Sequence, residues 1–196
     1  MVNLFFATRF QTIFYLRGKI QNSTLILMKI QNNTVVLVSY QLHANYPQQE
    51  KKHIETADSN NPLTFLFGSG GLIPGFERNL NGLSTGEKFS FSIEADEAYG
   101  NIDSSAVIDL PIDIFKVDNV IDFEVLKPGN VLPMSDNEGN NMNGKVVSFN
   151  DKEVKIDFNH PLAGQVLHFS GEVVEVREAS PDELSHGHVH NGVHGH

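Results

Sequence analysis

Residues 68–100 read GSGGLIPGFERNLNGLSTGEKFSFSIEADEAYG, and this stretch carries most of the information about the fold. Glycines at its start break the chain after an apolar run. Pro74-Gly75 then opens a short helix over residues 76–80, which Asn81-Gly82 ends as a C-cap. Residues 88–95 alternate apolar and polar side chains, which predicts a half-buried antiparallel strand.

The sequence on either side adds further strands. Residues 34–42 (TVVLVSYQL) and 63–67 (LTFLF) are rich in β-branched and apolar side chains, as strands usually are. Residues 165–178 predict one long strand with a bulge near Gly171. The polar stretch from His43 to Asn61 has the composition of a loop.

Between about residues 102 and 158 the sequence changes to short alternating segments separated by turn residues. This pattern predicts a small β-meander with its own core. The segments are Ile121 to Val125, Val131 to Met134, Lys145 to Phe149 and Val154 to Phe158. The chain as a whole is therefore expected to be β-rich, with one or two short helices.

Composition excludes several classes of function. The chain has 196 residues, 40% of them hydrophobic, which is enough for one ordinary domain or two small ones. It has no cysteine, so disulfides, thiolate catalysis and cysteine zinc sites are excluded. A formal net charge of −10 disfavours binding to the phosphate backbone, and we expect no nucleic-acid partner. The sequence also lacks a nucleophile elbow, a Walker phosphate loop and a His-Glu-x-x-His pair.

The order of segments in residues 68–100 resembles that of the FK506-binding-protein (FKBP) family of prolyl isomerases. The family pattern is a glycine turn, a Leu/Ile-Ile-x-Gly-aromatic-Glu helix start, a Gly-Glu/Asp-Lys turn, an alternating strand and Ala-Tyr-Gly. Each part occurs here in that order. The resemblance implies an α+β fold, with a twisted antiparallel sheet and a short helix. It also implies a peptidyl-prolyl cis-trans isomerase that needs no cofactor for catalysis.

The sequence after Ala98-Tyr99-Gly100 resembles the bacterial SlyD subgroup of that family. An insertion follows, NHPLAGQVLHFSGEVVEVREAS then resumes the family's final strand, and a histidine-rich tail comes last. The resemblance, which covers residues 28–196, implies four parts. They are a leader or extension (1–27), a discontinuous isomerase domain (28–102 and 158–179), a small β-rich insert-in-flap domain (103–157) and a metal-binding tail (180–196).

The resemblance implies an apolar, largely aromatic pocket as the catalytic site. In it the Ile73 backbone and the Tyr99 hydroxyl hold the bound peptide, and Phe76 forms the floor. Glu55 stands where the family usually has Asp, and Phe76 replaces the Trp common in eukaryotic members. The implied site residues are Tyr40, Glu55, Leu63, Phe65, Leu72, Ile73, Phe76, Tyr99 and Phe169.

In the same subgroup the insertion is a chaperone module, so the expected partners are unfolded or proline-containing polypeptides. Apolar side chains with an adaptable methionine suit such promiscuous binding, although each of them could instead fill the core of the insertion. The candidate client contacts are Val107, Ile108, Leu110, Ile112, Ile114, Phe115, Val131, Leu132, Pro133 and Met134.

The end of the chain predicts a capped helix followed by a metal site. Ser180, Pro181 and Glu183 form a capping-box pattern. Beyond Ser185 only His, Gly, Val and Asn remain, and imidazoles on a flexible chain suit nickel, zinc, copper or cobalt. The candidate ligands are His186, His188, His190, His194 and His196. Nickel-enzyme maturation proteins are a further expected partner on this interpretation.

Residues 1–27 contain Arg9, Arg17 and Lys19 but no acidic residue, and the arginines interrupt every apolar run. No stretch reaches the roughly 20 apolar residues that a membrane span requires. We therefore expect Met28 to be the native start, with a targeting leader as the alternative. We expect a monomer in the cytoplasm, without membrane contact.

Three functions remain open at this point. The first is an isomerase assisted by its insertion, and the second is a holdase that uses the same pocket only to bind. The third is a carrier that delivers nickel and isomerises prolines secondarily. The sequence favours the first, because a site without reactive groups is what rotation about an X–Pro bond requires.

Overall fold

The computed structural model describes residues 27–189. Within them the strands are β1 (Thr34–Asn45), β2 (Lys52–Ala57), β3 (Leu63–Leu66), β4 (Lys88–Ile93), β5 (Val107–Pro111), β6 (Lys116–Val117), β7 (Val120–Ile121), β8 (Val131–Ser135), β9 (Asn141–Phe149), β10 (Glu153–Asp157) and β11 (Val166–Glu178). The helices are α1 (Pro74–Leu80) and α2 (Pro181–His186). Neither helix is long or apolar enough to cross a membrane.

Five antiparallel strands form the main sheet, in the order β2-β1-β11-β4, with β3 also paired to β1. Alternate side chains of each strand point to the same face, and one face carries the main core. Val36, Val38, Phe89, Leu167 and Val173 are buried there. This confirms the predicted α+β architecture of an antiparallel sheet with a short helix.

Helix α1 packs close to β4 because its second residue is glycine. A Cβ added to Gly75 would lie 2.8 Å from Cγ2 of Ile93, which is too close for two carbon atoms. Pro74 at the first helical position suits the helix start, since its missing N–H has no partner there in any helix. The predicted helix is confirmed and begins at Pro74.

A second sheet lies between β4 and β11 in the sequence, with the strand order β5-β10-β9-β8. It has a separate core, formed by Ile112, Leu126, Val146, Val154 and Ile156. The predicted meander corresponds to β8, β9 and β10. Two sheets with two cores support an inserted domain over residues 103–157, which stays a prediction.

One side chain ties together the two segments that connect the sheets. Asn159 accepts a hydrogen bond from the Asp103 N–H at 2.8 Å and donates from Nδ2 to the Asp103 carbonyl oxygen at 2.9 Å. These residues lie next to the predicted boundaries of the insertion. The entry to the second sheet and the exit from it are therefore held side by side.

The prediction of a loop from His43 to Asn61 is wrong for much of its length. Strand β1 continues to Asn45, and Lys52–Ala57 form β2 at the edge of the sheet. An edge strand is exposed and carries polar side chains, so its composition resembles that of a loop. A register shift between Leu42 and His43 further interrupts the alternation.

Two other details differ from the prediction. The register shift in β11 lies opposite Leu37 and Val38, between Val173 and Glu175, and not near Gly171. Gly171 is instead needed for close packing, because a Cβ there would lie 2.0 Å from the Ser39 carbonyl oxygen. Residues 121–125 do not form a strand beyond Ile121, since Phe123 and Val125 lie in turns.

The predicted capping box at α2 is confirmed. The Ser180 hydroxyl accepts from the Glu183 N–H, and the Glu183 carboxylate accepts from the Ser180 N–H at 2.8 Å. Arg177 on β11 donates two hydrogen bonds to the same carboxylate, at 2.7 and 2.9 Å. The chain therefore leaves the main sheet through an anchored helix. The predictions for residues 1–26 and 190–196 lie outside the described residues.

Candidate functional site

A cluster of aromatic rings fills the space between α1 and the main sheet. Phe76 lies at its centre and is only 2% exposed. Its ring centroid is 4.8 Å from that of Phe169, 5.8 Å from Phe91 and 5.9 Å from Tyr40. The rings meet edge to face, the arrangement that aromatic quadrupoles favour. Phe76 is thus held in place by the surrounding rings and forms the floor of a cleft.

Above this floor lies a cleft of about 390 Å³. That volume falls within the range of small-ligand sites, and a proline ring with its neighbours fits it. The structure brings eight of the nine predicted site residues to its walls: Tyr40, Glu55, Leu63, Leu72, Ile73, Phe76, Tyr99 and Phe169. Phe65 lies behind the wall, 8% exposed, with its ring centroid 6.2 Å from that of Phe76.

Tyr40 and Glu55 form the polar edge of the cleft. The Tyr40 hydroxyl donates to Oε1 of Glu55 at 2.5 Å. Burial raises the pKa of the Tyr40 phenol well above its ordinary value of about 10, and the hydrogen bond and charge of Glu55 raise it further. Tyr40 is therefore a neutral hydrogen-bond donor at any physiological pH, and Glu55 holds its orientation.

Ile73 and Tyr99 lie at the mouth of the cleft. Ile73 precedes α1 in an extended conformation, and its carbonyl oxygen accepts from the Phe76 N–H at 3.0 Å. The Ile73 N–H has no hydrogen-bond partner among residues 27–189, so a bound peptide carbonyl can accept from it. Tyr99 is 39% exposed, with its ring bordering the cleft.

The sequence did not point to four further residues of the wall. Leu42, Gly70, Gly71 and Pro74 also line the cleft. Leu42 lies two residues after Tyr40 on β1, so the two side chains share a face of the strand. The period of the strand could have identified it. The sequence predicts the glycines only as a break in the chain before the helix. Their contribution is backbone that borders the opening, which residue type alone does not reveal.

A larger and more open depression of about 1000 Å³ is lined by residues of β1, β2, β4 and β11, with Tyr40 common to it and the cleft. Its walls include six serine and threonine side chains, among them Ser39, Ser90 and Ser170. It has no cluster of ring faces comparable to the Phe76 floor. Rotation about an X–Pro bond benefits from a dry apolar surface, so the smaller aromatic cleft is the better candidate.

The predicted client contacts between residues 103 and 157 differ in how far their side chains are exposed to solvent. Ile108, Ile114, Pro133 and Val131 are exposed, whereas Val107 is half-buried. Leu110, Phe115, Leu132 and Met134 pack partly against the second core. Ile112 is 6% exposed and belongs to that core, so it offers a client little surface, and its role as a client contact stays a prediction.

The sequence analysis did not identify several exposed apolar residues between positions 103 and 157. Alternation over residues 121–125 suggested a buried strand face, which hid Phe123 and Val125. The Phe123 ring lies 5.8 Å from that of Phe149, with both rings exposed. The missed residues are Val117, Val120, Phe123, Val125, Met142, Val147 and Phe149.

Of the predicted metal ligands, the structure describes His186 and His188. Their rings are stacked with centroids 5.8 Å apart, at the end of α2. His190, His194 and His196 lie outside the described residues. Within residues 27–189 no three side chains of His, Asp or Glu converge as a metal site.

Comparison with known proteins identifies the class that this fold and cleft define. Residues 28–126 match the family model described as FKBP-type peptidyl-prolyl cis-trans isomerase. The chain belongs to that family and is an enzyme of this type.

Curated relatives narrow the assignment. The protein named FKBP-type peptidyl-prolyl cis-trans isomerase SlyD from Yersinia pestis is 38% identical over 70% of this chain and 67% of its own length. Its namesake from Haemophilus influenzae is 36% identical over 80% of this chain and 77% of its own length. The namesake from Escherichia coli K12 is 36% identical over 72% and 68%. The chain is thus a SlyD-type member of the family.

Proposed function

We propose that the isomerase reaction occurs in the aromatic cleft above Phe76. A peptide bond resists rotation by about 18–20 kcal/mol because resonance stiffens it. Twisting the bond reduces the charge separation across C–N, and water stabilises the planar form more than the twisted one. A cleft lined by rings removes that advantage of the planar form and so lowers the barrier. The convergence of Tyr40, Phe76, Tyr99 and Phe169 on one opening is the observation that carries this proposal.

Proline-limited refolding of a protein substrate tests the site. Tyr99→Ala should reduce the acceleration at least about tenfold, which corresponds to about 1.4 kcal/mol in the transition state. Tyr46→Ala is the matched control, because Tyr46 is similarly exposed and does not line the cleft. Equal activity of Tyr99→Ala and the unchanged protein would contradict this assignment.

We further propose that the segment of residues 103–157, which contains the second sheet and the β6-β7 pair, holds unfolded clients near the cleft. Ten of the sixteen large exposed apolar side chains lie in residues 103–157, which are about a third of the described chain. Concentrated exposed apolar surface is typical of interaction sites. Val117 and Val120, on the paired β6 and β7, are 74% and 68% exposed and border a hollow of about 210 Å³.

Tethering explains why such a surface helps an isomerase. A client held weakly by one part of the chain is presented to another part at a raised local concentration. The benefit applies to long unfolded chains and not to short peptides, which cannot reach both sites. A substitution that disrupts the client surface should therefore lower the activity on unfolded proteins and leave the activity on short peptides unchanged.

A double substitution tests the client surface. Val117→Ser with Val120→Ser should lower the acceleration of protein refolding several-fold and leave isomerisation of a proline tetrapeptide unchanged. Leu184→Ser is the control, since Leu184 is exposed on α2 outside residues 103–157. The proposal fails if both activities fall together or if neither changes.

We also propose that the C-terminal histidines bind a divalent ion of the nickel, copper, zinc or cobalt type. Five imidazoles alternate with small residues, and such nitrogen donors suit these metals. Binding should weaken as pH falls, because metal binding requires the deprotonated imidazole. Delivery of nickel to maturation proteins stays a prediction.

Calorimetric titration with nickel of the full chain tests the tail. Replacing the five histidines at 186, 188, 190, 194 and 196 by glutamine should abolish the bound ion. Replacing His53 and His160 by glutamine should leave the stoichiometry unchanged, because they lie far from the tail in sequence. An unchanged stoichiometry in the five-fold variant would remove the tail from metal binding.

A further inference from the structure

His160 and Tyr99 form the most parallel and most closely spaced ring pair of the described residues. Their ring centroids are 3.8 Å apart and their planes differ by 9°. The ring pairs inside the aromatic cluster are tilted by 30° or more, with centroids at least 4.8 Å apart. The imidazole therefore covers one face of the tyrosine ring.

Tyr99 needs such a contact, because little else fixes its ring. It follows the short 3₁₀ turn Ala95–Glu97 and precedes Gly100, which has a φ of +80°. Its ring is 39% exposed at the mouth of the cleft. Its hydroxyl makes no hydrogen bond with any group in residues 27–189.

His160 itself is held by the turn that carries it. Its Nδ1 accepts from the Leu162 N–H at 3.1 Å, and its carbonyl oxygen accepts from the Ala163 N–H at 2.8 Å. The same turn reaches back to the neighbour of Tyr99, because the Gly164 N–H donates to the Gly100 carbonyl oxygen at 2.8 Å. Both ring-bearing segments are thus joined through their backbones.

The bond from Leu162 also assigns the tautomer. With Nδ1 as acceptor, the neutral ring carries its hydrogen on Nε2. Burial lowers the pKa of His160, which favours this neutral ring at neutral pH. Two neutral aromatic faces then pack without the cost of desolvating a charge.

We propose that His160 is a positioning residue for the isomerase reaction, which acts by holding the Tyr99 ring at the mouth of the cleft. The inference rests on the proposed site, since it requires Tyr99 to contact the bound peptide. His160 lies on the segment that returns from β10 to β11. The geometry of the cleft therefore depends on residues that follow the second sheet, and not on residues 68–100 alone.

Two substitutions separate the ring from its hydrogen bond. His160→Phe keeps an aromatic face but removes the Nδ1 acceptor. His160→Asn keeps an acceptor for the Leu162 N–H but removes the ring. We expect kcat/KM for a proline tetrapeptide to fall about five- to tenfold in His160→Asn and to stay within about twofold in His160→Phe. Thermal unfolding of each variant checks that the fold is intact.

The same substitutions in a Tyr99→Ala background test whether His160 acts through Tyr99. His160→Asn should then cause no further loss. The upfield ring-current shift that we expect for the stacked His160 protons should disappear in Tyr99→Ala.

The proposal is overturned if His160→Asn retains full activity while Tyr99→Ala does not. It is also overturned if the loss from His160→Asn is equally large without Tyr99, or if His160→Phe is as poor as His160→Asn. Failure of the proposed site is a different outcome, in which Tyr99→Ala itself keeps the activity of the unchanged protein.

Discussion

The hydrogen bonding and ionisation of individual side chains in the cleft depend on their surroundings in the fold. Tyr40 is a phenol whose ring contacts Phe76 and Phe169 and whose hydroxyl donates to a carboxylate. Ionising it would place a second negative charge beside Glu55 in a poorly hydrated position. Both effects favour the neutral phenol.

This gives a prediction for the tyrosine titration. The chain has four tyrosines and no tryptophan, so the absorbance of tyrosinate can be followed directly. One tyrosine should titrate well above pH 10, and Tyr40→Phe should remove that late component. The folded state binds a proton more tightly than the unfolded state, so this contribution to stability is present below about pH 10 and is lost as pH rises further. Tyr46→Phe, the control, should leave the late component in place.

The sequence was enough to predict most of the residues that line the cleft, but not how their side chains are arranged in space. The apolar and aromatic side chains of residues 63–76 and 99 were predicted together because their order resembles a known family. Phe65 was included by the same reasoning, yet it supports the floor from behind. The stack of His160 on Tyr99 was missed, because a contact between residues 61 positions apart leaves no periodic signal in either segment.

At the level of secondary structure, the long strands β1 and β11 form the centre of the main sheet. Gly171 on β11 is paired with Tyr40 on β1. A Cβ there would meet the Ser39 carbonyl oxygen, Cζ of Phe89 at 2.8 Å and Cα of Tyr40 at 2.9 Å. Backbone atoms in two paired strands cannot move aside without breaking the ladder.

Gly171→Ala should therefore destabilise the protein by at least about 2–3 kcal/mol, as overpacking of a core does. Urea denaturation measures the change in the free energy of unfolding. Gly71→Ala is the control, since its added Cβ would meet only the Ser69 hydroxyl oxygen at 3.7 Å. Similar midpoints for the two variants would show that β1 and β11 can separate to accommodate a methyl group.

Helix α2 gives a second prediction at this scale. Glu183 is 3% exposed, and the hydrogen bonds from Arg177 and from the Ser180 N–H lower the pKa of its carboxyl. The contribution to stability is present above the ordinary glutamate pKa of about 4.3 and is lost as pH falls through the lowered value. Glu183→Gln should weaken the attachment of α2 by roughly 1–2 kcal/mol.

Amide hydrogen exchange in α2 at neutral pH measures that loss. The control is Asp182→Asn, which removes the same charge from an exposed neighbour in the first helical turn. Equal protection of α2 in both variants would mean that the Arg177 contact contributes nothing.

Strong local signals explain which elements could be predicted. Pro74 before the helix, the Phe89 to Ile93 alternation and the capping box at Ser180 are each decided by neighbouring residues. Strand β2 could not be found in this way, because within residues 27–189 it pairs with β1 alone and its exposed side chains have no apolar period. The bulge was predicted at the wrong position because the glycine at 171 is required by close packing between strands, which is a tertiary effect that the local sequence does not show.

Residues 27–189 contain three antiparallel sheets, the main sheet, the second sheet and the β6-β7 pair, and the two larger ones have different surfaces. The main sheet buries its rings against α1 and opens one cleft, whereas the second sheet leaves many apolar side chains in contact with water. The hydrogen bonds between Asn159 and Asp103 hold together the two chain segments that connect the main sheet to the second sheet. The proposed tethering requires a catalytic part and a client-holding part in one chain, and the proposed cleft and client surface would supply these two parts.

The measurement that tests the central claim most directly is two-dimensional exchange NMR of a proline tetrapeptide in the presence of the full chain. Slow cis–trans exchange of the free peptide should become fast enough to give cross-peaks at catalytic protein concentrations. Resonances of Tyr40, Ile73, Phe76 and Tyr99 should shift on adding the peptide. Exchange that stays at the uncatalysed rate, or shifts confined to the depression around Ser39 and Ser170, would contradict the account.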